Sequence, residues 1–292
     1  MNTKTFELEF ITPCFCAGAD QAKAELRAPS IRGQLRWWFR VLGGNATDER
    51  ALFGGVHGEA TRSSVRVRII SPPTGGESGW SSQALTMGHG GYLWYFIKAG
   101  SPTRWQRNGA IAPGSKCSIE VACLRPLNAT LQEQWAATLE AFLRFGGVGY
   151  RLTRCAGAIR CVSFAGNLEN YQQAATHLLQ PHGFAFQFLN DTYKTWREMI
   201  EGAELILKNQ LRRTHKAASG PSPLGLDKPR QTSALYLRPL KLDGNQYRLM
   251  AFEAPHDRVL AGPSRFQTPV LKATTLSLAA ARAAAPVSRR RR

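Results

Sequence analysis

Apolar and polar residues alternate with two different periods along the N-terminal part of the chain. Between Thr5 and Ile11 every second residue is apolar, which predicts a half-buried strand. Between Ser30 and Gly44 the apolar residues recur at helical spacing, with Ser30 as the expected N-cap and Gly43-Gly44 as the stop. The apolar face of this helix consists of Ile31, Leu35, Trp38, Phe39 and Leu42.

The following segments continue this series of strands and helices. A polar, Gly-rich loop is expected over 45–63, and a capping box opens a helix from Thr130 to about Phe145. Further strands are predicted at 65–69, 117–124 and 158–164. The order β-α-β-β-α-β predicts an α+β fold with a ferredoxin-like (RRM-like) unit and an antiparallel sheet over residues 1–165.

A second, looser ferredoxin-like unit is predicted over residues 166–260. It contains a helix at 170–179, a strand at 184–189, a long helix from Thr192 to about Arg213 capped by Asp191, and a hairpin of 235–242 and 247–253. Residues 261–292 are rich in Ala, Arg, Ser and Pro, and we expect a flexible basic tail that does not pack.

The charge balance points to a polyanionic partner. The net charge is +18 and the isoelectric point is about 10.2. Seven basic residues and no acids lie beyond Gly262, so the preceding chain still carries +11. Nucleic acid is the commonest partner of such a protein.

Composition argues against several other classes. The six cysteines form no C-x-x-C pair and no histidine lies at ligand spacing, so we expect buried reduced thiols, no metal site and no cofactor. No apolar run approaches the length of a membrane helix, and Met1–Phe10 has the pattern of a strand rather than of a signal peptide. A cytoplasmic location is the resulting expectation.

Two groups of residues are candidates for RNA contact. Arg32, Arg36 and Arg40 form a stripe beside the apolar face of the first helix, while Trp37 lies on neither face and could stack on a base or pack on a partner. The second group lies in the loop after the second helix and consists of Gly146, Gly147, Gly149, Arg151 and Arg154. Close glycines let a backbone approach a ligand, and the arginines add charge beside the amides. The loop is not a P-loop, because it lacks the lysine and Ser/Thr of that motif. It is not a dinucleotide-binding loop either, because it follows a helix and such a loop follows a strand.

The N-terminal part resembles the signature of the RAMP proteins of type III CRISPR effectors, and is most similar to the first-subunit class of the Cmr-type (III-B) complex. The matching stretches are Ile11-Thr12-Pro13, Ala17-Gly18-Ala19-Asp20, Glu25-Leu26-Arg27-Ala28-Pro29-Ser30 and Arg36-Trp37-Trp38-Phe39-Arg40. RAMP proteins carry a glycine-rich RNA-contacting loop where Gly146 to Gly157 lies here. This loop departs from the family pattern, since Tyr150 replaces a small residue and Cys155-Ala156 replaces a Gly-aromatic pair.

The resemblance implies a non-catalytic subunit of a type III-B interference complex in antiviral defence, with crRNA, target RNA and other Cmr-type RAMP subunits as partners. One alternative is a metal-dependent endoribonuclease of the same fold, because related subunits cut RNA through an aspartate in the loop that holds Asp20. Another is a basic scaffold that contacts only protein. The sequence leaves both alternatives open.

Overall fold

A computed structural model describes residues 2–20, 23–56, 60–78, 91–94, 110–214, 222–225, 231–260 and 268–284. The strands are β1 (Asn2–Phe10), β2 (Val65–Gly75), β3 (Ser115–Cys123), β4 (Ile159–Cys161), β5 (Ala185–Tyr193), β6 (Leu235–Lys241) and β7 (Tyr247–Glu253). The α-helices are α1 (Ala28–Val41), α2 (Ala46–Phe53), α3 (Ala129–Phe145), α4 (Leu168–Leu178), α5 (Trp196–Leu205), α6 (Arg212–Thr214), α7 (His256–Val259), α8 (Val270–Ala273) and α9 (Leu278–Ala283). A π-helical segment, Ile206–Leu211, joins α5 to α6.

The first sheet has the strand order β2-β3-β1-β4, and all its pairings are antiparallel. Phe6 lies opposite Ile119 and Leu8 opposite Cys117, which aligns the apolar residues of both strands on the buried face. Helices α1 and α3 pack on that face through Leu35, Phe39 and Phe142. This arrangement confirms the α+β class and the β-α-β-β-α-β order of the N-terminal unit.

The second sheet has three antiparallel strands in the order β5-β7-β6, one fewer than the first. Leu249 and Ala251 lie in one core cluster with Met199 and Ile200 of α5. Met250 and Phe252, on the opposite face, belong to the core of the first unit. The second sheet is therefore buried on both faces, between α5 and the N-terminal unit.

Helix α4 was predicted for the second unit but contributes to the first core. Tyr171, Ala175 and Leu178 are buried there together with residues of α3. A division of the chain at residue 165 stays a prediction, because no gap in the core marks it.

The expectation of an unpacked tail is wrong for residues 268–284. Val270, Leu271, Leu278 and Ala281 are buried in the second core cluster. The amide of Gln187 donates to the carbonyls of Leu271 and Thr274, so the segment is also bound through its backbone. The segment therefore docks through both apolar side chains and backbone hydrogen bonds. Residues 261–267 and 285–292 of the predicted tail lie outside the described residues.

Several element boundaries differ from the prediction. Helix α1 begins at Ala28, with Pro29 in its first turn, so Ser30 is not its N-cap. Asn128 rather than Thr130 caps α3. Strand β5 continues through Asp191, and Thr195 caps α5. The polar stretch 45–63, predicted to be a loop, contains α2, which Asn45 caps.

All six cysteines lack disulfide bonds, and only Cys123 is more than slightly exposed. Burial raises the pKa of the Cys117 thiol to about 12. In the described part of the chain no helix is long and apolar enough to cross a bilayer.

Candidate nucleic-acid interface

The arginine stripe of α1 faces α2, and its charges are partly neutralised there. Glu49, with a side chain only 10% exposed, accepts hydrogen bonds from Arg36 Nε at 3.0 Å and from Arg40 Nε at 2.5 Å. These contacts, first the hydrogen bond from Arg40, hold the pKa of Glu49 below its ordinary value of 4.5. Two of the three arginines that the sequence predicts for RNA contact are therefore engaged by a carboxylate of the same chain.

The same stripe also binds the end of α2. Arg32 donates to the carbonyl of Phe53, and Arg36 Nη2 donates to the carbonyl of Gly54 at 2.8 Å. Cations stabilise the C-terminal end of a helix, where carbonyl groups lack intrahelical partners. Of the three arginines, Arg40 keeps the largest exposed fraction, with 58% of its side chain open to solvent.

Trp37 is partly buried and packs against β6. Its ring centroid lies 5.1 Å from that of Trp38, edge-on, and 5.1 Å from that of Tyr236. Gln34 and Trp37 also line a small cavity together with Gly146 and Gly147. The structure thus brings the first helix and the glycine-rich loop together through Trp37 and not through the arginine stripe.

The backbone of the glycine-rich loop is largely paired within the protein. The internal donor–acceptor pairs are Gly146 N to Phe142 O, Val148 N to Gly157 O, Tyr150 N to Phe15 O and Gly157 N to Pro13 O. A Cβ added at Gly146 would lie 2.4 Å from the carbonyl oxygen of Phe142, and one added at Gly147 would lie 2.4 Å from that of Gly157. At Gly149 the added Cβ would lie 2.6 Å from the carbonyl oxygen of Phe15. The amide of Gly146 is therefore not free for a ligand, and all three glycines permit close approach of the chain to itself.

Arg154 is buried, which contradicts its expected place on an RNA-contacting surface. Only 4% of the residue is exposed, and its guanidinium donates to Leu224 O at 2.7 Å and Thr153 O at 2.9 Å. Its backbone also pairs with Leu237 of β6. Burial first, and then the charges of Arg212 and Arg151, lower its pKa to about 10. Arg154 joins the glycine-rich loop to the second sheet.

Around buried Arg154 lies a group of more accessible residues that we name the arginine–tyrosine patch: Tyr92, Tyr150, Arg151 and Arg212. Arg151, with φ of 64°, lies over the Tyr150 ring at 5.4 Å from its centroid. Arg212 lies over the Tyr92 ring at 5.3 Å. Both arginines act electrostatically on Arg154, so three cations converge here.

Arg151 was predicted from the sequence, whereas Tyr92, Tyr150 and Arg212 were not predicted to be parts of one surface. Arg212 is a cation at the end of a long helix, which is a common feature and carries no signal of its own. Tyr150 was noted only as a departure from a small residue in the loop.

Asp20 lies on the loop between β1 and α1. Its side chain is 57% exposed, and its carboxylate is 3.9 Å from Lys23 Nζ. Within the described ranges no group of three His, Cys, Asp or Glu side chains could hold a metal ion.

Comparison with known proteins gives concordant matches. The RAMP superfamily model matches residues 7–160. Cmr subunit Cmr1-2 of Pyrococcus furiosus is 27% identical in an alignment of 182 residues that covers 55% of this chain and 95% of that protein. Cmr subunit Cmr1-1 of the same organism is 26% identical in an alignment of 200 residues that covers 64% of this chain and 53% of that protein.

Solved structures show the same fold. The crystal structure of apo Cmr1 from Pyrococcus furiosus superposes with a TM-score of 0.63 at 19% identity, covering 94% of each chain. A chain of the type III-B Cmr-β complex, solved with cognate target RNA, AMPPnP and ssDNA, gives 0.55 at 10% identity, covering 86% of this chain and 94% of that one. The family signature, the ferredoxin-like sheet and the loop after α3 agree with these matches. The chain therefore belongs to the RAMP superfamily, and Cmr1 subunits of type III-B CRISPR systems are among its relatives.

Proposed function

We propose that this protein is a non-catalytic, RNA-binding subunit of a type III-B CRISPR effector complex, with crRNA or target RNA as ligand and other Cmr-type RAMP subunits as partners. The observation that carries the proposal is the arginine–tyrosine patch, where cations and aromatic rings alternate beside the loop that contacts RNA in RAMP proteins. The relatives of the chain are Cmr subunits, and one solved structure with a similar fold is a chain of a complex with target RNA.

The chemistry of the patch suits a single-stranded ligand. The guanidinium groups of Arg151 and Arg212 can pair with phosphates, and a base can stack on the guanidinium planes that lie over the rings of Tyr150 and Tyr92. Both modes tolerate any base, so the isolated protein should bind single-stranded RNA with little sequence preference. The contacts should weaken as salt concentration rises.

The nine residues predicted from sequence divide into different roles in this proposal. Arg151 contacts RNA directly, and Arg40, with 58% of its side chain exposed, offers a separate cationic contact on α1. The remaining seven support the surface by holding the loop and helix in place: Arg32, Arg36, Trp37, Gly146, Gly147, Gly149 and Arg154.

The test measures binding of a fluorescein-labelled single-stranded RNA over a series of salt concentrations. The double variant Arg151→Asn/Arg212→Gln should bind on the order of tenfold more weakly, with a salt slope smaller by about 1.4 because each lost phosphate contact on a single strand contributes about 0.7. Asparagine is chosen at 151 because it tolerates the left-handed conformation found there.

The matched control is Arg62→Gln/Arg68→Gln, which removes the same charge from exposed arginines in β2 and before it. It should change affinity less than twofold. Equal binding by the patch variant and the parent at moderate salt would contradict the proposal, as would an equal loss in both double variants.

A further inference from the structure

A second concave site lies at the end of the N-terminal unit that is remote from the glycine-rich loop. It is a pocket of ≈ 360 Å³ between β3, the loop after it and the first half of α3. Its apolar lining comes from Val121, Leu127, Trp135, Ala136 and Leu139. Because α3 rises about 1.5 Å per residue, Gln132 beside this pocket is roughly 20 Å along the helix axis from Gly146. The pocket is therefore separate from the arginine–tyrosine patch.

Two cations border the apolar lining of this pocket. Lys4 and Arg125 both line it, both are exposed, and neither forms an ion pair with any residue that the structure describes. Lys4 lies close enough to the Cys123 thiol in the lining to act electrostatically on it. The site thus combines an apolar floor with a rim of unneutralised positive charge.

The apolar floor is unsuited to a nucleobase. Trp135 is only 5% exposed, and it packs against Phe53 with the ring centroids 5.9 Å apart, so too little of its ring is open for a base to stack on it. A base inserted against Ala136 and Leu139 would leave most of its polar edge without hydrogen-bond partners, which is unfavourable. An aliphatic or phenyl side chain has no polar atoms to satisfy and fits such a lining.

We infer that this pocket docks an acidic segment of a partner protein, which inserts one apolar side chain against Trp135 and Leu139 and places its carboxylates beside Lys4 and Arg125. Complementary charge at the rim and an apolar anchor at the centre are the usual anatomy of such an interface. The surface lies away from the proposed RNA contacts, so both ligands can bind the same molecule.

The test uses the full chain and a fluorescent peptide of sequence Asp-Glu-Leu-Phe-Asp-Glu. Ala136→Trp fills the pocket from an exposed position of α3 and should weaken peptide binding at least tenfold. Ala129→Trp, at an exposed position of the same helix outside the lining, should leave binding within twofold of the parent. A peptide with serine in place of Leu-Phe should bind at least tenfold more weakly.

The melting temperature of Ala136→Trp shows whether this substitution perturbs folding. If it does, a pair of charge-reversal variants tests the inference instead. Lys4→Glu/Arg125→Glu should abolish peptide binding, whereas Arg62→Glu/Lys116→Glu, with the same change in charge at exposed sites outside the pocket, should not. Absence of saturable peptide binding overturns the inference, and so does an equal loss in both charge-reversal pairs. If Ala136→Trp instead weakens binding of the single-stranded RNA, the pocket belongs to RNA and the inference fails, while the proposed RNA-binding function stands.

Discussion

Replacing Gly157 with alanine tests whether the glycine-rich loop is shaped by internal packing. Gly157 has φ of 61°, and an added Cβ would lie 1.8 Å from the carbonyl oxygen of Val148. Its amide donates to Pro13 O at 2.8 Å, and its carbonyl accepts from Val148 N at 2.9 Å. Alanine can fit only if this backbone moves and both hydrogen bonds are disturbed.

The expected destabilisation follows from those contacts. The left-handed conformation costs alanine roughly 1–2 kcal/mol, and two disturbed hydrogen bonds contribute roughly 0.5–1.5 kcal/mol each. The free energy of unfolding of Gly157→Ala should therefore fall by about 2–5 kcal/mol. For a chain of this size the melting temperature should drop by on the order of 3–8 °C. Urea denaturation and thermal melting measure both quantities.

Gly33 provides the matched control. It lies inside α1, where an added Cβ would meet nothing within 4 Å, so Gly33→Ala should stabilise the protein by about 0.8–1 kcal/mol through helix propensity. If Gly157→Ala melts like the parent but loses affinity for single-stranded RNA, the idea that packing within the protein shapes the glycine-rich loop is refuted. The glycine would then serve the ligand directly.

Three further outcomes are expected. Trp38→Ala should lower the free energy of unfolding by about 3–5 kcal/mol, measured in urea, because the residue is 1% exposed and packs on Phe184 and Phe252. Glu49→Gln should make the free energy of unfolding less sensitive to acid. Because the pKa of Glu49 is lowered in the folded protein, the carboxylate stabilises the fold at neutral pH, and this stabilisation is lost as the pH falls below 4.5. Urea midpoints measured across that pH range test this. Asp20→Ala should leave target RNA cleavage by the assembled complex unchanged in a gel assay with magnesium.

Each of these predictions has a contrary result. A Trp38→Ala variant as stable as the parent would mean that the α1 core is wrongly assigned. Identical acid profiles for Glu49→Gln and the parent would show that the arginine contacts to this carboxylate do not persist in solution. Loss of one cut site in Asp20→Ala, with assembly intact, would favour the endoribonuclease alternative.

Local periodicity was sufficient for the elements and their order in the N-terminal unit. The alternation in β1 and the apolar face of α1 are properties of neighbouring residues, and the structure buries Phe6, Leu8, Leu35 and Phe39 as those patterns require. The position of the glycine-rich loop after α3 follows from the same order of elements. Helix α2 escaped prediction because its eight residues are too short and polar for a clear period.

What surrounds each charged or backbone group depended on residues distant in the chain. The sequence places Arg36 and Arg40 on one helical stripe, but only packing brings Glu49 against them. Arg154 was expected at the surface, and the approach of Leu224 and β6 buries it instead. Likewise, the amides of Tyr150 and Gly157 in the glycine-rich loop donate to the carbonyls of Phe15 and Pro13, more than 130 positions away in sequence. A periodic pattern specifies which side of an element is apolar, whereas the partners of its polar groups exist only once the elements have packed.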